Sequence, residues 1–122
     1  MVRSQIQKKE NSQAQLLEEM TQAIVAVASP EKIILFGSQA RGTARLHSDY
    51  DFLIVEAEPF GANRSRRKAS GKIGWALSRF LVPTDVLLFS TEEVKYWSQS
   101  LNHVVSCALR EGKVLYDRST TG

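Results

Sequence analysis

The sequence predicts an α/β (α+β) fold in which helices pack on a short β-sheet, and three observations carry that prediction. Stretches with apolar residues at three- and four-residue spacing alternate with short apolar runs of strand length. One of those runs, Asp49 to Val55, is apolar on both faces beyond its aspartates, as expected of a sheet covered by helices. The segment Ser90-Thr91-Glu92-Glu93 spells a capping box between a strand-like run and a helix-like one.

Taken in order, Leu17, Met20, Ile24 and Val27 trace one face of a helix over residues 14–28, and Ser29-Pro30 ends it. Lys32 to Phe36 is a buried strand. The strand from Asp49 to Val55 places Asp49, Asp51, Leu53 and Val55 on one face and Tyr50, Phe52 and Ile54 on the other. Pro59, Gly61 and Asn63 mark the loop that follows. Residues 64–81 predict a helix with Ala69, Ile73, Ala76, Leu77, Phe80 and Leu81 on its packed side, weakened at Gly71 and Gly74. Pro83 introduces a third strand, Thr84 to Phe89, in which Asp85 shares a face with Leu87 and Phe89. Val94, Trp97, Leu101, Val104, Val105, Ala108 and Leu109 then follow a helical stripe that breaks near residues 98–102. Gly112 stops it, and Lys113 to Tyr116 reads as a last short strand. At 122 residues the chain has the size of one domain, with residues 1–12 and 118–122 expected to be flexible ends.

Composition excludes several classes. No apolar run approaches the roughly 20 residues of a membrane span, and the polar stretch from Arg3 to Gln13 is unlike a signal peptide. A single cysteine, Cys107, cannot form an internal disulfide and suits a reducing cytoplasm; it reads as a small buried residue. A net charge of +3 suits ATP or an acidic partner and is too small to argue for nucleic acid as a direct ligand. His47 and His103 have no partner at metal-ligand spacing.

The chemistry concentrates between the first two strands. Asp49 and Asp51 project from the same face with Cα atoms roughly 7 Å apart, close enough for their carboxylates to converge on a divalent ion. Two ionised carboxylates about 6 Å apart repel by roughly 3 kcal/mol at an effective dielectric near 20, a penalty that a bound cation reverses. Upstream, Gly37 follows a strand where a residue without Cβ lets backbone approach a phosphate. Ser38 heads a short helical segment as its N-cap, where a hydroxyl and free amides attract anions. Arg41 has two readings, a phosphate contact or a structural pair that orders the 37–48 loop. The basic cluster Arg64, Arg66, Arg67 and Lys68 is either a solvated face or a patch for nucleotide phosphate or an acidic partner surface.

Gly37-Ser38, ten intervening residues and Asp49-Tyr50-Asp51, with Ala40-Arg41-Gly42 and Ser48 between, resemble the signature of the DNA polymerase beta nucleotidyltransferase superfamily. At this length the chain is most similar to the minimal nucleotidyltransferases (MNT), the antitoxins of HEPN/MNT toxin–antitoxin pairs. The resemblance implies the nucleotidyltransferase fold, with a short mixed sheet packed by helices. It also implies a third acidic residue on the neighbouring strand, for which Asp85 is the candidate, binding metal and accepting the proton of the attacking hydroxyl. Asp49, Asp51 and Asp85 would then hold Mg²⁺ as the catalytic set, while Gly37, Ser38 and Arg41 would bind ATP as substrate.

The activity so implied is transfer of AMP to a hydroxyl, with a tyrosine of a cognate HEPN ribonuclease toxin as acceptor in a hetero-oligomer. Two other readings stand beside it: a non-enzymatic antitoxin that masks the toxin by binding, and a transferase for an antibiotic-type small molecule. The complete set of Gly37, Ser38, Asp49, Asp51 and Asp85 favours an enzyme, because a pure binder needs no metal site.

Overall fold

In a computed structural model describing residues 2–43 and 48–121, with the side chains of 12–43 and 48–120, the apolar runs become four strands of one sheet. These are β1 (Pro30–Phe36), β2 (Tyr50–Glu56), β3 (Thr84–Ser90) and β4 (Lys113–Asp117), in the order β3-β2-β1-β4. β1 runs antiparallel to both β2 and β4, whereas β2 and β3 are parallel, so the sheet is mixed. A parallel pair needs a long crossover, and the connection from β2 to β3 supplies one that contains a helix. The helices are α1 (Val2–Val27), α2 (Gly37–Arg41), α3 (Arg66–Ser78), α4 (Thr91–Trp97), α5 (Val104–Glu111) and α6 (Arg118–Thr121).

The period-two alternation of the strands sorts the core into two layers. Ile33 and Leu35 of β1, Tyr50, Phe52 and Ile54 of β2 and Leu88 of β3 meet Leu17, Met20 and Ile24 of α1 and Ile73 and Leu77 of α3. On the opposite face Ile34, Leu53 and Val55 meet Val105 and Ala108 of α5, with Leu87, Phe89, Val94 and Trp97 packed alongside. Side chains such as Phe52 and Ile24 are fully buried, each worth about 1.5–3 kcal/mol of removed apolar surface. The expectation of a sheet covered on both faces is met.

Several boundaries differ from the sequence reading, each for a physical reason. α1 begins at Val2, upstream of the segment where apolar spacing is visible. α3 starts after Ser65, whose hydroxyl accepts the Lys68 N–H at 3.2 Å, and it ends at Ser78. Leu81 therefore lies beyond the helix: it adopts φ 57° and is 90% exposed instead of joining the packed side. The expected break after α4 is present, and it carries Leu101 out of the apolar stripe to 74% exposure. His103 caps α5 by accepting the Val105 N–H on Nδ1 at 3.1 Å, while its ring stacks on Trp97 at 4.1 Å, so its role is structural. His47 lies outside the described residues. Cys107 is half-buried rather than buried, with Sγ near the Leu101 carbonyl and the Arg110 guanidinium.

The capping box forms as expected, with Ser90 Oγ accepting from Glu93 N and Glu93 Oε1 accepting from Ser90 N. Gly112 ends α5, but at φ −79° and not in a left-handed conformation. Its requirement is space: a Cβ there would lie 2.3 Å from the Ala108 carbonyl and 2.4 Å from Ile34 Cγ2. Among the described residues, no helix is long and apolar enough to cross a membrane.

Candidate functional site

The site is assembled by strand register. The antiparallel ladder of β1 and β2 sets Phe36 opposite Asp51, so the residue after β1 arrives above the Asp51 carboxylate. That residue is Gly37, at φ 75°, where any side chain would be strained. A Cβ on it would sit 2.3 Å from Asp51 Oδ2. Gly37 thus leaves room for the carboxylate as well as for backbone approach.

The sequence places Ser38 at the helix N-cap, and here the structure differs. Phe36 is the N-cap, held extended by its pairing in β1, and it supplies no side-chain cap hydrogen bond. Ser38 lies inside that turn, half-exposed beside backbone amides that have no intrahelical partner. The helix closes at Gly42 in a left-handed conformation, its N–H returning to the Ser38 carbonyl.

The parallel ladder of β2 and β3 sets Asp51 directly beside Asp85. The Tyr50 N–H donates to the Pro83 carbonyl at 2.9 Å, locking this register at its first step. Asp49 is exposed one residue before β2, and Gln39 steadies the preceding turn by donating from Nε2 to the Ser48 carbonyl at 3.3 Å. Like charges directly opposite on neighbouring strands destabilise a sheet. The Asp51 carboxyl is accordingly pushed above the usual carboxylate range, first by burial and then by the charges of Asp85 and Asp49, with Arg41 partly opposing them.

All three predicted aspartates are therefore gathered at one end of the β2–β3 pair. They are not drawn into a closed ligand set: among the described residues, no three His, Cys, Asp or Glu side chains stand close enough to hold a metal ion as placed. The donor chemistry, hard carboxylate oxygens on a common face, suits Mg²⁺, and the space kept free by Gly37 lies against one of the donors.

Arg41 makes a loose ion pair with Glu111 at the end of α5, 3.9 Å apart with both side chains about half exposed. It ties α2 to α5, whereas the two readings from sequence are a phosphate contact or a pair that orders the 37–48 loop. The basic cluster also divides. Arg64 pairs with Glu56 and Glu58, and Arg66 pairs with Glu93 and donates to the Leu88 carbonyl at 2.8 Å. These two arginines are structural, whereas Arg67 and Lys68 are exposed. Gln39 and Glu111 are the residues that sequence reasoning missed. Neither belongs to a motif, and only the folded chain brings them beside the site.

A family model described as "Nucleotidyltransferase domain" matches residues 13–109, a span that contains every candidate site residue. Among solved structures, one described as "Crystal structure of the toxin-antitoxin with AMP-PNP" is similar at a TM-score of 0.52 and 23% identity. The match covers 82% of this chain and 75% of that one, a likeness of fold. No curated protein matches the sequence.

Proposed function

Because the chain belongs to the nucleotidyltransferase domain family, we propose that it is an antitoxin that transfers AMP from ATP to a tyrosine hydroxyl of a cognate HEPN-type ribonuclease toxin in the cytoplasm. The single observation that carries the catalytic part is the register Asp51↔Asp85 beneath Gly37, an arrangement that costs stability unless a cation and a phosphate use it. Asp49, Asp51 and Asp85 would hold Mg²⁺, which supplies neutralisation of the charge on the reacting phosphates.

The chain's own residues account for the rest. Backbone amides of the first turn of α2 and the Ser38 hydroxyl hold the β- and γ-phosphates, with Gly37 admitting them closely. Arg41, which already offsets the charge on Asp51, reaches a phosphate when it leaves its weak pairing with Glu111. Asp85, exposed at the head of β3, accepts the proton of the acceptor hydroxyl. The hydroxyl oxygen bonds to the α-phosphorus, the bond to the bridging oxygen breaks, and pyrophosphate leaves. The similarity to a toxin-antitoxin structure with AMP-PNP supports a protein as acceptor and a nucleotide as donor.

A masking antitoxin without enzymatic activity is the second reading, to which the likeness to a toxin-antitoxin structure extends equally. Incubating the purified chain and its partner with labelled ATP and Mg²⁺ separates the two. Transfer predicts label on the partner that Asp49→Ala abolishes. No label, with toxicity still suppressed by Asp49→Ala, selects masking.

A further inference from the structure

On the sheet face opposite Asp51 and Asp85, α1 and α3 leave a groove of about 360 Å³ between them. Its walls are Ala23, Ala26 and Val27 of α1 and Trp75, Ala76 and Arg79 of α3. Trp75 is 82% exposed, although burying an indole removes more apolar surface than burying almost any other side chain. Exposed tryptophans beside arginine are the side chains that most often anchor protein interfaces.

On the α3 side of this groove the charge has one sign. Lys68, Lys72, Trp75 and Arg79 recur at three- and four-residue spacing along the exposed side of α3, with Arg67 adjacent. Among the described residues, none of these cations has a carboxylate partner within ion-pair distance, and Arg79 only covers the Phe80 ring at 4.9 Å. The contrast with Arg64 and Arg66, both paired inside the fold, is direct.

We propose that the α1/α3 groove docks an acidic amphipathic helix of a partner protein, with Trp75 as the apolar anchor and Lys68, Lys72 and Arg79 reading the flanking carboxylates. A second copy of this chain is disfavoured, because a self-complementary contact would bring two basic stripes together. Nucleic acid is disfavoured by the aliphatic wall of Ala23, Ala26 and Val27, which offers bases neither stacking nor hydrogen bonds. An apolar ridge flanked by Glu or Asp matches both the wall and the charges. Docking here leaves the aspartate face open, so binding and transfer are separable.

The test uses the full chain labelled with 5-fluorotryptophan and no nucleotide, so its outcome is independent of the transferase reading. Trp75 and Trp97 give two ¹⁹F resonances, assigned with Trp75→Phe. The probes are a synthetic helical peptide with leucines along one face flanked by glutamates, the same peptide with lysines for glutamates, and oligo(dT). The expected result is a saturable shift of the Trp75 resonance with the glutamate peptide alone, weakened about tenfold by Lys72→Glu with Arg79→Glu. Equal binding of the lysine peptide, preference for oligo(dT), a Trp75 shift that follows protein concentration alone, or no shift at about millimolar glutamate peptide would each overturn the proposal.

Discussion

The two ends of the β2–β3 pair carry acidic residues under opposite treatment. At the far end, Glu56 is buried at 4% exposure, paired with Arg64 and accepting from the Ser29 N–H, and Glu93 is paired with Arg66. At the near end, Asp51 meets Asp85 in register and Asp49 one step away, with a half-exposed Arg41 as the one opposing charge among the described residues. The same fold that neutralises carboxylates at one end leaves them uncompensated at the other. Arginines were available to it, since Arg67 and the α3 cations point elsewhere. The acidic end is the one proposed to carry the transfer; the neutralised end holds the sheet to α3 and α4.

That contrast breaks most sharply at Asp51. If Asp51 holds metal as proposed, replacing it by asparagine should lower AMP transfer by about 10³-fold or more, as when a group essential to transition-state charge is lost. The same change removes a like-charge contact with Asp85, so the variant should melt at or above the temperature of the parent, by up to about 1 kcal/mol. Activity by label transfer and thermal denaturation on the same preparation check both halves. A variant that loses both activity and stability would place Asp51 among the structural carboxylates.

Glu56→Ala should behave in the opposite way. It leaves the Arg64 guanidinium, whose side chain is only 21% exposed, with the exposed Glu58 as its remaining partner, and leaves the Ser29 N–H without its carboxylate. A fully buried pair broken this way costs about 3–5 kcal/mol, and partial solvent access brings the expected loss to about 2–3 kcal/mol. Urea denaturation measures it. Transfer by the fraction that remains folded should be unchanged.

The proposed catalytic end was more legible in the sequence than the paired end. Gly37, Ser38, Asp49 and Asp51 fall within one short window with fixed spacing, whereas Asp85, alone at the head of its strand, is singled out only by what the family resemblance implies. The pairing of Arg64 with Glu56 and of Arg66 with Glu93 was not legible, because it depends on how α3 returns against β2 and α4. Nothing in a run of four basic residues distinguishes the two that turn inward. The misplacement of Ser38 has the same origin: β1 pairing holds Phe36 extended, and this puts the cap two positions earlier than the serine suggests. Leu81 and Leu101 fit their helical stripes by spacing alone, and helix ends at Ser78 and Trp97 remove them from it.

The smallest expected effect sharpens the same contrast through pH. The Glu93 carboxyl is held below the usual carboxylate range, chiefly by the hydrogen bond from Arg66, with Ser90 adding to it. A carboxylate depressed in the folded state contributes stability that is full above its unfolded value, near 4.5, and lost as pH falls through its folded value. Arg66 and Glu93 are 41% and 30% exposed, so solvent screening reduces the contribution to about 0.5 kcal/mol. Glu93→Gln keeps a side-chain acceptor at the third position of the capping box but cannot titrate. Urea midpoints of parent and variant should therefore differ near pH 6 and converge as the pH approaches 3. A gap of constant size across that range would mean that the capping geometry, and not the charge, sets the contribution of Glu93.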